Sequence, residues 1–173
     1  MIEDKNDFLK ELMVLCNICS LTREFTDKEK EDFSLMLIRK HFQAKKVIFF
    51  EESSESKMYF VKSGSVIVSK KIRGAIEDVL ARFGEGDFFG ELSLVDDFAR
   101  SASVQTETEA VLYVLEKEKL SEMEKRYPMV ASKFYRALLI EMVKRLRNTT
   151  EKLQSAIIWG MDALSLMEQD IQE

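Results

Sequence analysis

Residues 84–104 read G-E-G-D-F-F-G-E-L-S-L-V-D-D-F-A-R-S-A-S-V, and this is the stretch whose residue types could do chemistry. Gly86 and Asp87 turn the chain, and Phe88 and Phe89 are apolar anchors. Gly90-Glu91-Leu92-Ser93-Leu94 then reads as one turn of helix, begun by a glycine that lets the backbone come close to something. The free N–H groups at the start of such a turn form an anion cradle. Ten residues after Gly90 stands Arg100, alone among Glu85, Asp87, Glu91, Asp96 and Asp97, and the small residues Ser101 and Ala102 follow it into a strand. Two readings stand side by side. Arg100 is a surface ion-pair partner worth at most about 1 kcal/mol. Or Arg100 and the N–H groups of the turn grip one phosphate while Glu91 accepts a hydrogen bond from a sugar hydroxyl, because an arginine fork suits phosphate and a carboxylate suits a hydroxyl donor.

Other chemistry has little to stand on. Ser93 and Ser101 have no candidate base of their own, so an enzyme is not expected. The single histidine, His41, excludes sites that need two, including most catalytic zinc sites, and no metal is expected. Cys16 and Cys19 form a C-x-x-C whose helical spacing sets them on one face beside Leu12 and Leu15. With no second Cys pair or His cluster, two small buried residues is a better reading than a redox or metal pair. The net charge of −5 argues against a strongly electrostatic nucleic-acid binder. The N-terminal apolar stretch, 12–22, is too short to span a bilayer, and the first residues are mixed-charge and unlike a signal peptide, so a cytoplasmic protein without membrane contact is expected.

The elements that must position this segment fall into three zones. The chain of 173 residues is the size of one domain, or of a domain plus an appended helix, and its 12 Phe supply ample apolar surface for a core. Residues 1–43 contain neither Gly nor Pro, and Phe8, Leu9, Leu12, Met13 and Leu15, then Phe33, Leu37 and Ile38, recur at helical spacing, predicting two helices. Thr26 and Glu29 form a capping box that starts the second. Residues 44–120 hold five of the six glycines. Short β-rich runs (47–50, 58–61, 66–69, 76–83, 101–106 and 111–115) alternate with turns at Ser63-Gly64, Arg73-Gly74 and 84–87, predicting an antiparallel sandwich or barrel. Residues 121–173 return to helix, with Pro128 in the first turn of a long one. There Leu139, Leu146, Leu153, Gly160 and Met167 recur every seven residues, Met142, Thr149, Ala156 and Ala163 fill the positions three further on, and Val143, Ile157, Leu164 and Ile171 widen the seam. The seam fits a dimer helix or packing within the chain; Gly160 is a position where the helix could kink or end.

The central segment resembles the phosphate-binding cassette of cyclic nucleotide-binding domains, whose pattern is F-G-E-[LI]-[AS]-L, a short spacer, then P-R-[ASTC]-A-[ST]-V. Upstream, Val47-Ile48-Phe49 and Met58-Tyr59-Phe60-Val61-Lys62-Ser63-Gly64-Ser65-Val66 are similar to the family's first strands, and the resemblance covers roughly residues 25–153. It implies an α+β fold: an antiparallel β-roll (double-stranded β-helix, jelly-roll type) of about eight strands, with a cassette at 86–104, flanked by N-terminal helices and a long C-terminal helix. It implies ligand contacts by Phe89, Gly90, Glu91, Leu92, Ser93, Arg100, Ser101 and Ala102, with Glu91 on the ribose 2′-hydroxyl and Arg100 on the cyclic phosphate. The family's Pro before the Arg is Ala99 here. Two family glycines are replaced by Lys45 and Glu52, in turns far in sequence from the cassette, so altered loops and an intact pocket are expected.

The long helix is similar to the dimer helix of catabolite activator-type members, in which a Thr-Ser pair reads adenine, one residue from each subunit. Thr149 and Thr150 match that pair; as plain helix-surface residues they would instead bond back to the preceding turn. Twenty residues follow Leu153 and read as more helix, too few for a helix-turn-helix, so no sequence-specific DNA binding is expected. The function expected is a stand-alone cyclic nucleotide sensor, for cAMP before cGMP, homodimeric through the C-terminal helix and signalling to an unknown effector protein. The alternative is a dimerisation or protein-interaction module of the same fold that has lost the nucleotide.

Overall fold

Thr26 caps the second helix as its spacing with Glu29 predicts. The Glu29 amide donates to the Thr26 hydroxyl at 3.3 Å, and the Thr26 amide donates to the Glu29 carboxylate at 2.8 Å. The computed structural model describes residues 5–73, 76–96 and 98–170, and the side chains among them except those of 5–7, 72, 73, 76, 77 and 163–170. The turn expected at Arg73-Gly74 falls partly outside these residues, as do Asp97 and Ile171. The chain forms two compact units, Met1–Tyr135 and Arg136–Glu173.

The first unit begins with α1 (Lys5–Ile18) and α2 (Asp27–Ser34). Helical spacing predicts that α2 continues through Leu37 and Ile38. It does not: Leu37 and Ile38 begin β1 (Leu37–Phe42), which pairs antiparallel with β8 (Ala110–Glu116). Leu37 sits opposite Leu115 and Ile38 opposite Val114, so long-range ladder bonds override the local period. His41 therefore lies in β1, with Nε2 3.0 Å from Glu109 Oε1.

Between β1 and β8 run β2 (Val47–Phe49), β3 (Lys57–Ser63), β4 (Val66–Arg73), β5 (Ile76–Phe83), β6 (Phe88–Phe89), α3 (Leu92–Val95) and β7 (Ser103–Thr106). They build two four-stranded antiparallel sheets, ordered β1-β8-β3-β6 and β2-β7-β4-β5. This is the expected antiparallel β-roll of eight strands. Its core is formed by residues that alternate along the strands: Tyr59 and Val61, Ala110, Leu112 and Val114, with Phe49, Val66, Phe89 and Val104. Gly64 makes the β3–β4 turn at φ +83°, and a Cβ there would lie 2.2 Å from the Glu109 carbonyl oxygen.

After β8 come α4 (Lys117–Arg126) and α5 (Pro128–Asp170), which starts at Pro128 as predicted and runs on through Gly160. The first turns of α5 belong to the first unit. Phe134 packs on Phe33 of α2 with ring centroids 5.7 Å apart, and the Lys133 ammonium donates to Glu29 at 2.7 Å. That bond and the capping box hold Glu29 below the usual carboxylate range. In the second unit α5 exposes Leu139, Leu146, Leu153, Ile157 and Trp159. Cys16, in α1, and Cys19, one residue past its end, are buried and form no disulfide; burial pushes the Cys16 pKa up to about 12, so its thiol stays protonated and inert.

Candidate functional site: the cassette around Arg100

The cassette is entered through a tight turn in which the Gly84 amide donates to the Asp87 carboxylate at 2.8 Å and the Gly86 amide to the Val61 carbonyl at 2.9 Å. β6 then sets Phe89 into the roll, stacked on Tyr59 at 5.1 Å and on Phe83 at 6.2 Å. Gly90 follows at φ +78°, a left-handed conformation that suits glycine. A Cβ at Gly90 would lie 2.8 Å from Arg100 Nη1 and 2.9 Å from the Lys57 carbonyl oxygen. The absent side chain is therefore what lets the arginine reach the turn.

Arg100 is 3% exposed. Its Nη1 donates to the Gly90 carbonyl at 2.9 Å and to the Ser93 hydroxyl, and its Nη2 donates to the Lys57 carbonyl at 2.7 Å. The guanidinium lies over the Phe49 ring, 4.0 Å from its centroid. The Nε–H is buried and has no acceptor. Burial draws the Arg100 pKa below its ordinary value, with Tyr59, Glu55 and Glu91 opposing the shift, and the group remains a cation at neutral pH. Tyr59, beneath it, is pushed up to about 12, mainly by burial. Of the two sequence readings of Arg100, the surface ion pair is excluded: three of its contacts are neutral oxygens, and the residue lies inside.

Among the expected site residues, Gly90, Ser93 and Arg100 are joined by hydrogen bonds, and Glu91, 7% exposed, is close enough to act on Arg100 electrostatically. Ala102 is buried, and the Ser101 carbonyl accepts from Lys70 at 3.3 Å. The Leu92 side chain is half exposed. Ser93 is turned toward the protein: its hydroxyl serves Arg100 and donates to the Glu55 carbonyl at 3.2 Å. In the second unit Thr149 and Thr150 are exposed, and each hydroxyl donates to the carbonyl four residues back, at 2.8 Å to Arg145 and 3.0 Å to Leu146. Phe49, Tyr59 and Lys57 are parts of the site that sequence reasoning missed. Phe49 and Tyr59 lie some 40–50 positions upstream in runs read only as strands, Lys57 just before the second of these, and no local signal ties them to Arg100.

The two replaced glycines keep the glycine backbone. Lys45 has φ 58° and Glu52 φ 66°. The Lys45 amide donates to the Thr106 carbonyl at 2.8 Å. The Glu52 amide donates to the Arg100 carbonyl at 2.9 Å, and the Arg100 amide donates to the Ser53 carbonyl at 2.9 Å. The turn at Glu52, distant in sequence, is thus bonded directly to the cassette arginine. A left-handed non-glycine residue costs roughly 1–2 kcal/mol, part of which glycine's larger unfolded-state entropy offsets. Lys45→Gly and Glu52→Gly are each expected to raise stability by up to about 1 kcal/mol in urea unfolding; a fall in the midpoint for both would show that these turns carry no strain.

The family model described as Cyclic nucleotide-binding domain matches residues 39–127, just over half of the chain and the whole of the cassette. The chain belongs to the cyclic nucleotide-binding domain family. It is 34% identical over 104 residues to the cyclic AMP receptor protein of Thermus thermophilus, covering 60% of this chain and 48% of that protein. It is 32% identical over 117 residues to the cAMP-dependent protein kinase regulatory subunit of Debaryomyces hansenii, covering 68% of this chain and 24% of that one. The chain thus spans about half or less of these relatives' length. The crystal structure of the Thermus thermophilus catabolite activator protein superposes with a TM-score of 0.71 at 29% identity, over 78% of this chain and 62% of that one. A cyclic nucleotide-binding domain from Methylobacillus flagellatus matches in fold, with a TM-score of 0.76 at 21% identity over 85% and 83% of the two chains. The site fits the ligand class the family is named for. An anionic phosphate would supply the acceptor that the buried Arg100 Nε–H lacks. Among the described residues no group of three or more His, Cys, Asp or Glu could hold a metal ion, and no helix is long and apolar enough to cross a membrane.

Proposed function

We propose that this chain is a cAMP-preferring cyclic nucleotide sensor that signals to a partner protein and acts by binding, without catalysis. The observation that carries the reading is the buried Arg100 guanidinium, whose Nε–H has no acceptor while three of its other four N–H bonds point to Gly90, Ser93 and Lys57. Because Nε is buried, a cyclic phosphate accepting from it requires the cassette to shift, and the phosphate then meets a cation that is already desolvated. The Glu91 carboxylate accepts from the ribose 2′-hydroxyl, and the Phe49, Phe83 and Phe89 rings supply an apolar wall. Ligand then biases the cassette between two arrangements, a population shift that a partner protein reads. The relatives named for cyclic AMP support the choice of nucleotide.

Titration calorimetry with cAMP and cGMP tests the reading. Binding of cAMP about tenfold tighter than cGMP, or about 1.4 kcal/mol, is expected. Binding of neither would leave the alternative, an interaction module that has lost its ligand. Base reading by Thr149 and Thr150 requires their hydroxyls to leave the Arg145 and Leu146 carbonyls or to accept while still donating there, and a hydroxyl can do both. A Thr149→Val, Thr150→Val variant is expected to lose the cAMP preference and keep phosphate-driven binding; an unchanged ratio would move selectivity into the β-roll.

The proposal includes a homodimer through α5. Leu139, Leu146 and Leu153 are each at least 60% exposed at seven-residue spacing, an apolar stripe that a second copy would cover. A Leu146→Glu, Leu153→Glu variant is expected to sediment as a folded monomer. A wild-type chain that is monomeric at high micromolar concentration would refute the dimer.

A further inference from the structure

We propose that Lys70 is a positioning residue of the cassette, a side-chain staple that sets the peptide following Arg100. Lys70 lies on β4, one residue past the pairing of Ser69 with Ser103. Its ammonium is 3.0 Å from Glu51 Oε1, and it also donates to the Ser101 carbonyl at 3.3 Å. It therefore joins two backbone segments that are already laced around Arg100. The Glu51 amide donates to the Ser103 hydroxyl at 3.0 Å, the Glu52 amide to the Arg100 carbonyl at 2.9 Å, and the Arg100 amide to the Ser53 carbonyl at 2.9 Å.

The second acceptor separates this arrangement from an ordinary surface ion pair. A half-exposed Lys-Glu pair alone contributes little. The Ser101 carbonyl, however, belongs to the peptide whose N–H is on Ala102, and in a trans peptide the two point to opposite sides. Holding the carbonyl on Lys70 fixes the direction of the Ala102 N–H, two residues from the Arg100 on which the proposed function puts the cyclic phosphate. Glu51 in turn keeps the ammonium from wandering, with its carboxylate 22% exposed against 48% for the Lys70 side chain. Serine or an aliphatic residue at position 70 would remove this hold on the Ser101 carbonyl.

The inference rests on the proposed function for its consequence in binding, but not for its geometry, and the test separates the two. Lys70→Met, Lys70→Arg and Glu51→Gln are compared with the wild-type chain by cAMP calorimetry, and by amide hydrogen exchange of the unliganded protein over residues 98–104. Lys70→Met is expected to weaken cAMP about fivefold and to quicken exchange at 101–103, with the β8 amides unchanged. Lys70→Arg is expected to restore most of both, since it keeps the charge and the donors, and Glu51→Gln to fall between. Wild-type affinity and exchange in Lys70→Met would overturn the staple, as would a loss that Lys70→Arg shares in full. A wild-type chain that binds no cAMP would overturn the proposed function instead, and exchange at 101–103 would then decide the staple alone.

Discussion

Replacing Arg100 with Ala is expected to lower cAMP affinity by roughly 3–5 kcal/mol, because it leaves a desolvated phosphate without its counter-charge. The structure adds a second consequence. The Arg100 guanidinium supplies donors to the Gly90 and Lys57 carbonyls and to the Ser93 hydroxyl, and it stacks on Phe49. Its removal takes a donor from each of those acceptors inside the roll, although the Ser93 hydroxyl keeps its bond to the Glu55 carbonyl, at a cost to stability of about 1–3 kcal/mol. Arg100→Ala should therefore lose denaturant resistance as well as ligand, and binding must be measured where the variant is still folded. Arg100→Lys separates the two effects. It keeps a charge but has three donors on one atom in place of a planar fork, so it cannot serve two carbonyls and a phosphate together. Intermediate affinity is expected. If Arg100→Ala binds cAMP as tightly as wild type by calorimetry, the assignment of this site to the phosphate is wrong.

The second large effect is expected at Gly90. Gly90→Ala must hold an L side chain at φ +78° and place its Cβ 2.8 Å from Arg100 Nη1 and 2.9 Å from the Lys57 oxygen. The first of these atoms ends a side chain, but one tied down by three hydrogen bonds; the second is backbone. Left-handed strain of roughly 1–2 kcal/mol then adds to displacement of the guanidinium, for a total of about 2–4 kcal/mol of stability. Ligand affinity should fall on the order of 100-fold, because under the proposed function the displaced Arg100 is the phosphate's counter-charge. Gly84→Ala is the control, since nothing lies within 4 Å of its added Cβ and its φ is not positive. Wild-type unfolding and cAMP binding in Gly90→Ala would show that the turn does not seat the arginine.

Local chemistry determined much of this protein. The reciprocal cap of Thr26 and Glu29, the helix start at Pro128, the alternation of apolar residues in most strands and the cassette motif itself all act within a few residues of one another. A sequence displays such short-range interactions directly. The rest depends on contacts between segments that folding brings together. Leu37 and Ile38 follow a helical period but are strand, because β8, more than seventy residues later, offers them a ladder. β6 is two residues long, too short for any pattern, and exists because Tyr59 and Phe60 pair with it. Lys45 and Glu52 adopt glycine-like backbone because Thr106 and Arg100 hold their amides there. Arg100, an exposed-looking charge in an acidic loop, is buried because the cassette turn, through Gly90 and Ser93, and β3, through Lys57, bring oxygen atoms to it, and burial of a cation is tolerable only once such partners are assembled.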